Sequence, residues 1–208
     1  YGLMTDTSAS DSGSIIWREG LRSHKLLGAR GNVAFKLDDN QRPIASFTFR
    51  GIYNAVTAAS ALVHADATFT GWKDIAPLSQ ALTTFTFAGQ AQALWSLSAS
   101  QNDTILFRDL PGQKNVQLIG KRNFTGKMKI KTPAVGTTNL ETLCTGNTVS
   151  TYALVHGTAG GSILTLNGRA QTRMPDYGDE SGEDVASVDL HYVSSALSTD
   201  DDLALVLT

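Results

Sequence analysis

The chain has 208 residues, of which 41% are hydrophobic and 17% are charged, and its formal net charge is −2. This balance gives no global basic surface for gripping DNA, and no apolar run reaches the roughly 20 residues that a membrane span needs. The single cysteine, Cys144, excludes an internal disulfide and fits folding in a reducing compartment. The chain begins with Tyr1 rather than Met, and we expect that Tyr1 is not the translational start.

Alternation of polar and apolar residues with a period of two predicts β-strands along most of the chain. Met128 and Ile130, for example, alternate with three lysines, which predicts a strand with one core face and one cationic face. Clusters of Asp, Gly, Pro and Asn separate such runs, and this pattern indicates a β-sandwich or barrel. In chain order the predicted strands are Gly13–Glu19, 31–37, 84–89, 93–98, 115–120, 127–131, Val149–His156 and 203–208.

Helical patterns are rare in this sequence. The spacing predicts one short helix over residues 138–144, with Thr138 or Asn139 as its N-cap and Gly146 at its C-terminal end. Residues 54–64 are rich in Ala, Ser and Val and fit either a helix or a linking loop.

Two segments, 25–53 and 162–194, each contain a strand-like run, a polar loop and a second strand-like run. Their closing runs align as IASFTF at 44–49 and VASVDL at 185–190. This similarity predicts a duplicated module in which the two hairpins occupy equivalent places. The alternative is that any two hairpins of an all-β protein resemble one another.

No residue pattern in the sequence predicts catalysis, so we expect a protein that is not an enzyme and has no cofactor or metal. The four histidines, His24, His64, His156 and His191, lack metal-ligand spacing and are expected at the surface or at strand ends. Cys144 is interpreted as a small buried hydrophobic residue rather than a nucleophile.

Charge is segregated along the chain. Residues 110–131 contain six basic residues and no acidic ones, whereas residues 176–189 contain six acidic residues and no basic ones. The two runs fit two solvated faces, a complementary pair of self-association surfaces, or, for the basic run, a nucleic-acid patch. The candidate self-association residues are Lys127, Lys129, Lys131, Asp179, Glu180, Glu183 and Asp184.

The sequence resembles the major tail tube proteins of long-tailed, siphovirus-type bacteriophages over essentially its whole length. The resemblance is in the order and spacing of strands and turns rather than in a catalytic signature. The segments that carry it are LGARG at 27–31, Pro43 with FTFRGIY at 47–53, residues 123–133, PDYGD at 175–179 with Gly182, and the apolar end at 202–208.

The resemblance implies a mainly β fold, a tail-tube-type sandwich or barrel with a short flanking helix, and a tandem duplication as one version of it. In that version residues 1–53 are the C-terminal part of a first tube-type domain and residues 54–208 are a second one. Six-domain rings, built from six chains or from three duplicated chains, would stack into the virion tail tube that conducts DNA into the host.

The implied partners are the chain itself, the tail terminator and tail tip proteins, and DNA that passes through the channel without sequence-specific binding. The implied location is the virion tail, after synthesis in the host cytoplasm, and no membrane anchor is expected. The alternative function is a carbohydrate- or receptor-binding β-sandwich module of a virion. Trp17, Trp72 and Trp95 could provide stacking surfaces for a sugar, although Trp17 and Trp95 lie in strand runs where we expect core positions.

Overall fold

A computed structural model describes residues 12–59, 75–119, 123–158, 162–196 and 201–208. These residues form a mainly β structure with one short helix, α1, at Leu140–Thr145. Within these ranges no helix is long and apolar enough to cross a membrane. The strands are β1 Gly13–Glu19, β2 Arg22–Asp38, β3 Ile44–Ala58, β4 Thr83–Phe87, β5 Gln90–Ala91, β6 Leu94–Gln101, β7 Thr104–Leu110, β8 Gln113–Ile119, β9 Phe124–Lys131, β10 Val149–His156, β11 Leu164–Thr172, β12 Asp176–Glu180, β13 Glu183–Tyr192 and β14 Leu203–Leu207.

Twelve of these strands form one antiparallel sheet in the order β1-β2-β6-β9-β13-β11-β10-β4-β5. In addition, β3 pairs with β2, β12 pairs with β13, and β14 pairs with β11. The remaining two strands, β7 and β8, form a separate two-stranded sheet. The predicted mainly β fold is therefore confirmed.

The core lies between the two halves of the large sheet. Leu37 and Leu97 from the β2–β6 half belong to the same buried cluster as Phe87 and Leu154 from the β4–β10 half. Burial of residues from both halves in one cluster is consistent with a sheet that folds over onto itself, as in a β-sandwich. Strand β9 shows the expected alternation, since Met128 and Ile130 are fully buried and Lys127 and Lys131 are exposed.

The predicted helix is confirmed as α1. Asn139 is its N-cap, and the Asn139 Oδ1 atom accepts a hydrogen bond of 2.9 Å from the backbone N–H of Thr142. Gly146 ends the helix, as the sequence predicts. Leu140 is buried in the core cluster, so the helix is held to the sheet by this apolar contact.

Part of the chain projects past this core. Residues 22–31 of β2 pair with β1 and β3 only, because β6 meets β2 from Ala34 onward. We call β1, residues 22–31 of β2, and β3 the arm. The expectation of a helix or loop at residues 54–64 is wrong for residues 54–58, which belong to β3. Residues 60–64 lie outside the described residues.

The expected division between residues 53 and 54 falls inside β3, which runs without interruption from Ile44 to Ala58. Strand β2 also joins the body of the sheet, because residues 34–38 pair with residues 96–100 of β6. Hydrogen bonds and a shared core therefore connect described residues on the two sides of this position, and the division into two domains stays a prediction.

The two hairpins expected to be equivalent are placed differently. Strands β2 and β3 pair directly from Arg22↔Ala58 to Lys36↔Ile44. Strands β11 and β13 pair only at residues 170–172 with 190–192, because β12 occupies the adjoining edge of β13. The expectation of a duplicated module with equivalent hairpins is not confirmed, because the aligned closing runs differ in their strand pairing.

Candidate self-association surface

The two charge-segregated runs meet within one chain. Strands β9 and β13 are antiparallel neighbours, and Lys127 lies directly opposite Asp189 in their register. The Lys131 Nζ atom is 3.0 Å from the Glu183 Oε1 atom, and Lys129 forms an ion pair with Glu180. The lysines project from the side of β9 opposite Met128 and Ile130, so all three stand on the outer face of the sheet.

The remaining predicted residues border this charged surface. Asp179 Oδ1 accepts a hydrogen bond of 3.1 Å from the Gly182 N–H and so stabilises the β12–β13 turn. The backbone oxygen of Asp184 accepts a hydrogen bond from Thr132, and its side chain is exposed. The structure therefore brings all seven predicted residues into one neighbourhood and neutralises two of the lysines there. Their role in self-association stays a prediction.

Strand β3 has an open edge along its length. The strand is fifteen residues long and pairs with β2 on one side, and no described strand pairs with the other side. Unpaired N–H and C=O groups on a long, exposed edge strand are a template for pairing with another chain. Residues 47–53 of this strand carry part of the family resemblance, but no sequence pattern predicted that they would be exposed.

One face of β3 carries three exposed aromatic side chains at alternating positions. Phe47, Phe49 and Tyr53 are 62%, 48% and 58% exposed, and we call them the aromatic stripe. Phe47 lies opposite Val33, which packs against the core cluster, so the stripe continues the core-facing side of the sheet past the end of the core. In the body of the sheet, this same side faces the buried core.

The stripe is ordered by contacts with the strand beneath it. The ring of Phe49 lies over Gly31, its direct partner on β2, where a Cβ atom would overlap the ring. The rings of Phe47 and Phe49 are nearly parallel, at an angle of 6° with centroids 6.2 Å apart. Side chains fixed in this way lose little conformational entropy when a partner covers them.

The opposite face of the arm is covered by the β7–β8 hairpin. Arg30 Nε donates a hydrogen bond of 3.1 Å to the backbone oxygen of Val116, and Arg50 Nη1 donates one of 3.3 Å to that of Ile105. Asn32 Nδ2 donates another, of 3.0 Å, to the backbone oxygen of Asp103. The arm therefore has one face occupied by its own chain and one aromatic face left open.

The end of the arm exposes further apolar surface. Trp17 of β1 stacks on His24 of β2 with ring centroids 5.1 Å apart, and Trp17 is 44% exposed. The expected core position of Trp17 is wrong, because β1 pairs only with the part of β2 that lies beyond the core. Trp95 is half-buried without belonging to the core cluster, and Trp72 lies outside the described residues.

Buried His156 has a structural role. Its Nε2–H donates a hydrogen bond of 2.9 Å to the backbone oxygen of Ala76, and its Nδ1 atom forms a second hydrogen bond, of 2.8 Å, with the Thr83 hydroxyl. The residue ends β10, as expected, but it is buried rather than at the surface. These two bonds fix β4 and the segment before it.

A cavity lies beside the charged residues of β9 and β13. A cavity of about 600 Å³ is bordered by Asp39, Gln92, Lys131 and Glu183, of which the last two form an ion pair with each other. In the part of the chain that the structure describes, no three His, Cys, Asp or Glu side chains are close enough to hold a metal ion. Cys144 is a free, half-buried thiol on α1.

Comparison of the chain with protein-family models gave no match, and comparison with curated proteins gave no significant match.

Proposed function

We propose that the protein is a structural virion component that self-assembles into the stacked rings of a phage tail tube. The observation that carries this proposal is the arm, whose long open edge strand bears an aromatic stripe on its uncovered face. A second copy of the chain is the partner that fits best, because ring assembly would satisfy the edge hydrogen bonds and cover the aromatic rings in one step.

Burial of the stripe would give association a substantial driving force. Fully burying one large apolar side chain is worth about 1.5–3 kcal/mol, and the stripe has three, each about half exposed or more. Part of that energy offsets the loss of translational and rotational freedom on association. Many identical contacts around a closed ring can therefore hold copies together even if a single contact is weak.

The charged outer face is compatible with DNA passage. A channel that conducts DNA should not present unpaired lysines, since phosphate contacts with Lys and Arg create a salt-dependent grip. Lys129 and Lys131 are paired with acids of the same chain, which lowers their availability to phosphates. The tail terminator, the tail tip proteins and the virion location belong to this proposal through the sequence resemblance.

Electron microscopy of the purified protein tests the proposal. We expect negative-stain images of the wild type to show rings or hollow tubes, and the Phe47→Ser/Phe49→Ser variant to remain a folded monomer. Val135→Ser is the matched control, because Val135 is 68% exposed in a turn outside the arm. A wild-type protein that stays monomeric at high concentration would contradict the proposal.

The second candidate function is carbohydrate or receptor binding, and the exposed Trp17 favours it. An exposed indole can stack on the apolar face of a sugar ring, and the stack on His24 would hold it in place. This function predicts that the wild type is a monomer that binds to a glycan array and that the Trp17→Ala variant does not bind. Retention of both the wild type and the variant would rule out Trp17 as the sugar platform.

A further inference from the structure

We propose that the β7–β8 hairpin stabilises the arm in the conformation that presents the aromatic stripe to a second copy. The hairpin would thus be a positioning element for self-association without being part of the contact surface. The role of the stripe rests on the proposed function above, whereas the effect of the hairpin on the arm can be measured in the monomer.

The arm has little to hold it in place by itself. Its strands lie beyond the core cluster, and Ala29 is its one buried hydrophobic residue within the described ranges. Arg30 and Arg50 lie directly opposite each other in the β2–β3 register. Like charges at directly opposed positions destabilise a strand pair, so acceptors for the two guanidinium groups stabilise this part of the arm.

The hairpin supplies that interaction through its backbone. The oxygens of Val116 and Ile105 each accept a hydrogen bond from one of the two opposed arginines. Hydrogen bonds from a charged donor are stronger than neutral ones, and the arginine side chains are directed to separate acceptors. Val116 itself is only 8% exposed, so docking also buries an apolar side chain.

The dependence is mutual. Strands β7 and β8 form a sheet of their own, and a lone two-stranded hairpin is marginally stable in water. Docking to Arg30 and Arg50 gives the hairpin a packing partner, which an isolated two-stranded hairpin lacks. The described part of the chain therefore contains two weak elements, the arm and the hairpin, each of which needs the other.

The docked arginines are next to the residues that order the stripe. Arg30 precedes Gly31 and Arg50 follows Phe49, and Gly31 and Phe49 are the pair in which the ring lies over the glycine. Loss of the hairpin would remove the backbone acceptors of both opposed arginines and loosen the adjacent pairing. The aromatic ring would then lose its fixed position, although the hairpin never touches the open face.

Hydrogen–deuterium exchange of the monomer tests the stabilising effect. The main variant replaces residues 104–119 with a short Gly–Ser linker, which is possible because Thr104 and Ile119 are paired neighbours. We expect exchange at residues 47–53 to rise at least tenfold while β9 and β13 keep their protection. Unchanged exchange at residues 47–53 would overturn the proposal.

Two further variants make the test specific. In the chain without the hairpin, Arg50→Ala removes the opposed charge and should restore part of the protection of β3; no restoration would refute the charge argument. Arg108→Ala is the matched control, because it removes a hairpin arginine for which no bond to the arm is described. It should exchange like the wild type, and a rise equal to that of the linker variant would overturn the assignment to the docking bonds.

A milder variant covers the case in which the linker chain loses its core protection as well. Val116→Ser weakens docking without removing the hairpin, and we expect a smaller but measurable rise in exchange at residues 47–53. No rise would overturn the proposal.

Ring formation by the linker variant tests the effect of the hairpin on assembly. We expect this variant to need at least a tenfold higher concentration to form rings, and equal assembly would refute the link to self-association. A wild type that forms no rings would refute the proposed function, while the exchange data would still decide the role of the hairpin.

Discussion

The ring of Phe49 on β3 lies over Gly31 on β2, and the two residues are direct partners in the antiparallel register. The glycine leaves room for the ring, which stacks in turn beside Phe47. This packing is found at an exposed position, where it contributes little to a buried core. It therefore fixes the geometry of a surface, as expected for a contact site.

Gly31→Ala should disturb this surface. The added methyl group overlaps the Phe49 ring and the backbone oxygen of Thr48, so both the ring and the adjacent backbone of β3 must shift, at a cost of about 1–3 kcal/mol typical of overpacking. We expect a lower free energy of unfolding in urea and weaker ring formation. Gly178→Ala on β12 is the control, because a Cβ atom there meets open space; equal effects of the two substitutions would contradict the packing argument.

Removal of one hydroxyl of the Tyr152–Tyr192 pair should cost more than removal of both. The two buried hydroxyls are 2.8 Å apart and form a hydrogen bond with each other. Tyr192→Phe leaves the Tyr152 hydroxyl without that partner, which typically costs about 1–3 kcal/mol. The double Phe variant should recover part of this loss. A double-mutant cycle from urea unfolding checks this, and strictly additive losses would show that the bond is unimportant.

Alkaline pH should also act on this pair. Burial raises the pKa of Tyr152 and of Tyr192 above the ordinary value of 10.0, so the folded state favours the neutral phenols. Their contribution to stability is therefore present below pH 10 and is lost as the pH rises further, because the unfolded chain ionises first. The double Phe variant should keep more of its neutral-pH stability than the wild type in urea titrations between pH 10 and 12.

The hydrogen bond from Tyr177 to Glu141 joins β12 to α1 and predicts a window of pH dependence. Burial and this bond raise the pKa of Tyr177 to about 12, and the same bond lowers the pKa of Glu141 below 4.5. The bond thus stabilises the fold fully between about pH 4.5 and 10. Its contribution is lost as the pH falls below 4.5 or rises through about 12.

Tyr177→Phe should accordingly lower stability most at neutral pH and least at the two extremes. Urea unfolding at several pH values measures the difference, and absorbance titration should lose a phenolate step near pH 12. A wild-type minus variant difference that is constant with pH would contradict the role of the Tyr177–Glu141 bond.

Charge reversal should distinguish ion pairs within one chain from ion pairs between chains. Lys127 is exposed, whereas Lys129 is paired with Glu180 of the same chain. We expect Lys127→Glu to impair ring formation with the monomer still folded, and the swap Lys129→Glu/Glu180→Lys to assemble like the wild type. Exposed pairs contribute about 1 kcal/mol or less. Normal assembly of Lys127→Glu at low and moderate salt would show that this lysine belongs to a solvated face.

The sequence by itself determined the local elements. Alternation around Met128 and Ile130 predicts a strand with one core face, and Asn139 and Gly146 mark the ends of α1, because both patterns depend on neighbours a few residues away. The same local logic placed β1 and β10 at their observed bounds. It could not say which strands would lie side by side.

Only the tertiary structure decided which faces are covered. Trp17 and Phe47 lie in strands, yet both are exposed, Trp17 because β1 pairs with the part of β2 beyond the core and Phe47 because β3 is an edge strand. The ion pairs of Lys129 and Lys131, and the docking of Arg30 and Arg50 on the hairpin, join residues that are about 50 to 90 positions apart. Burial and pairing of this kind depend on the neighbouring strand, which the periodicity of a single strand does not specify.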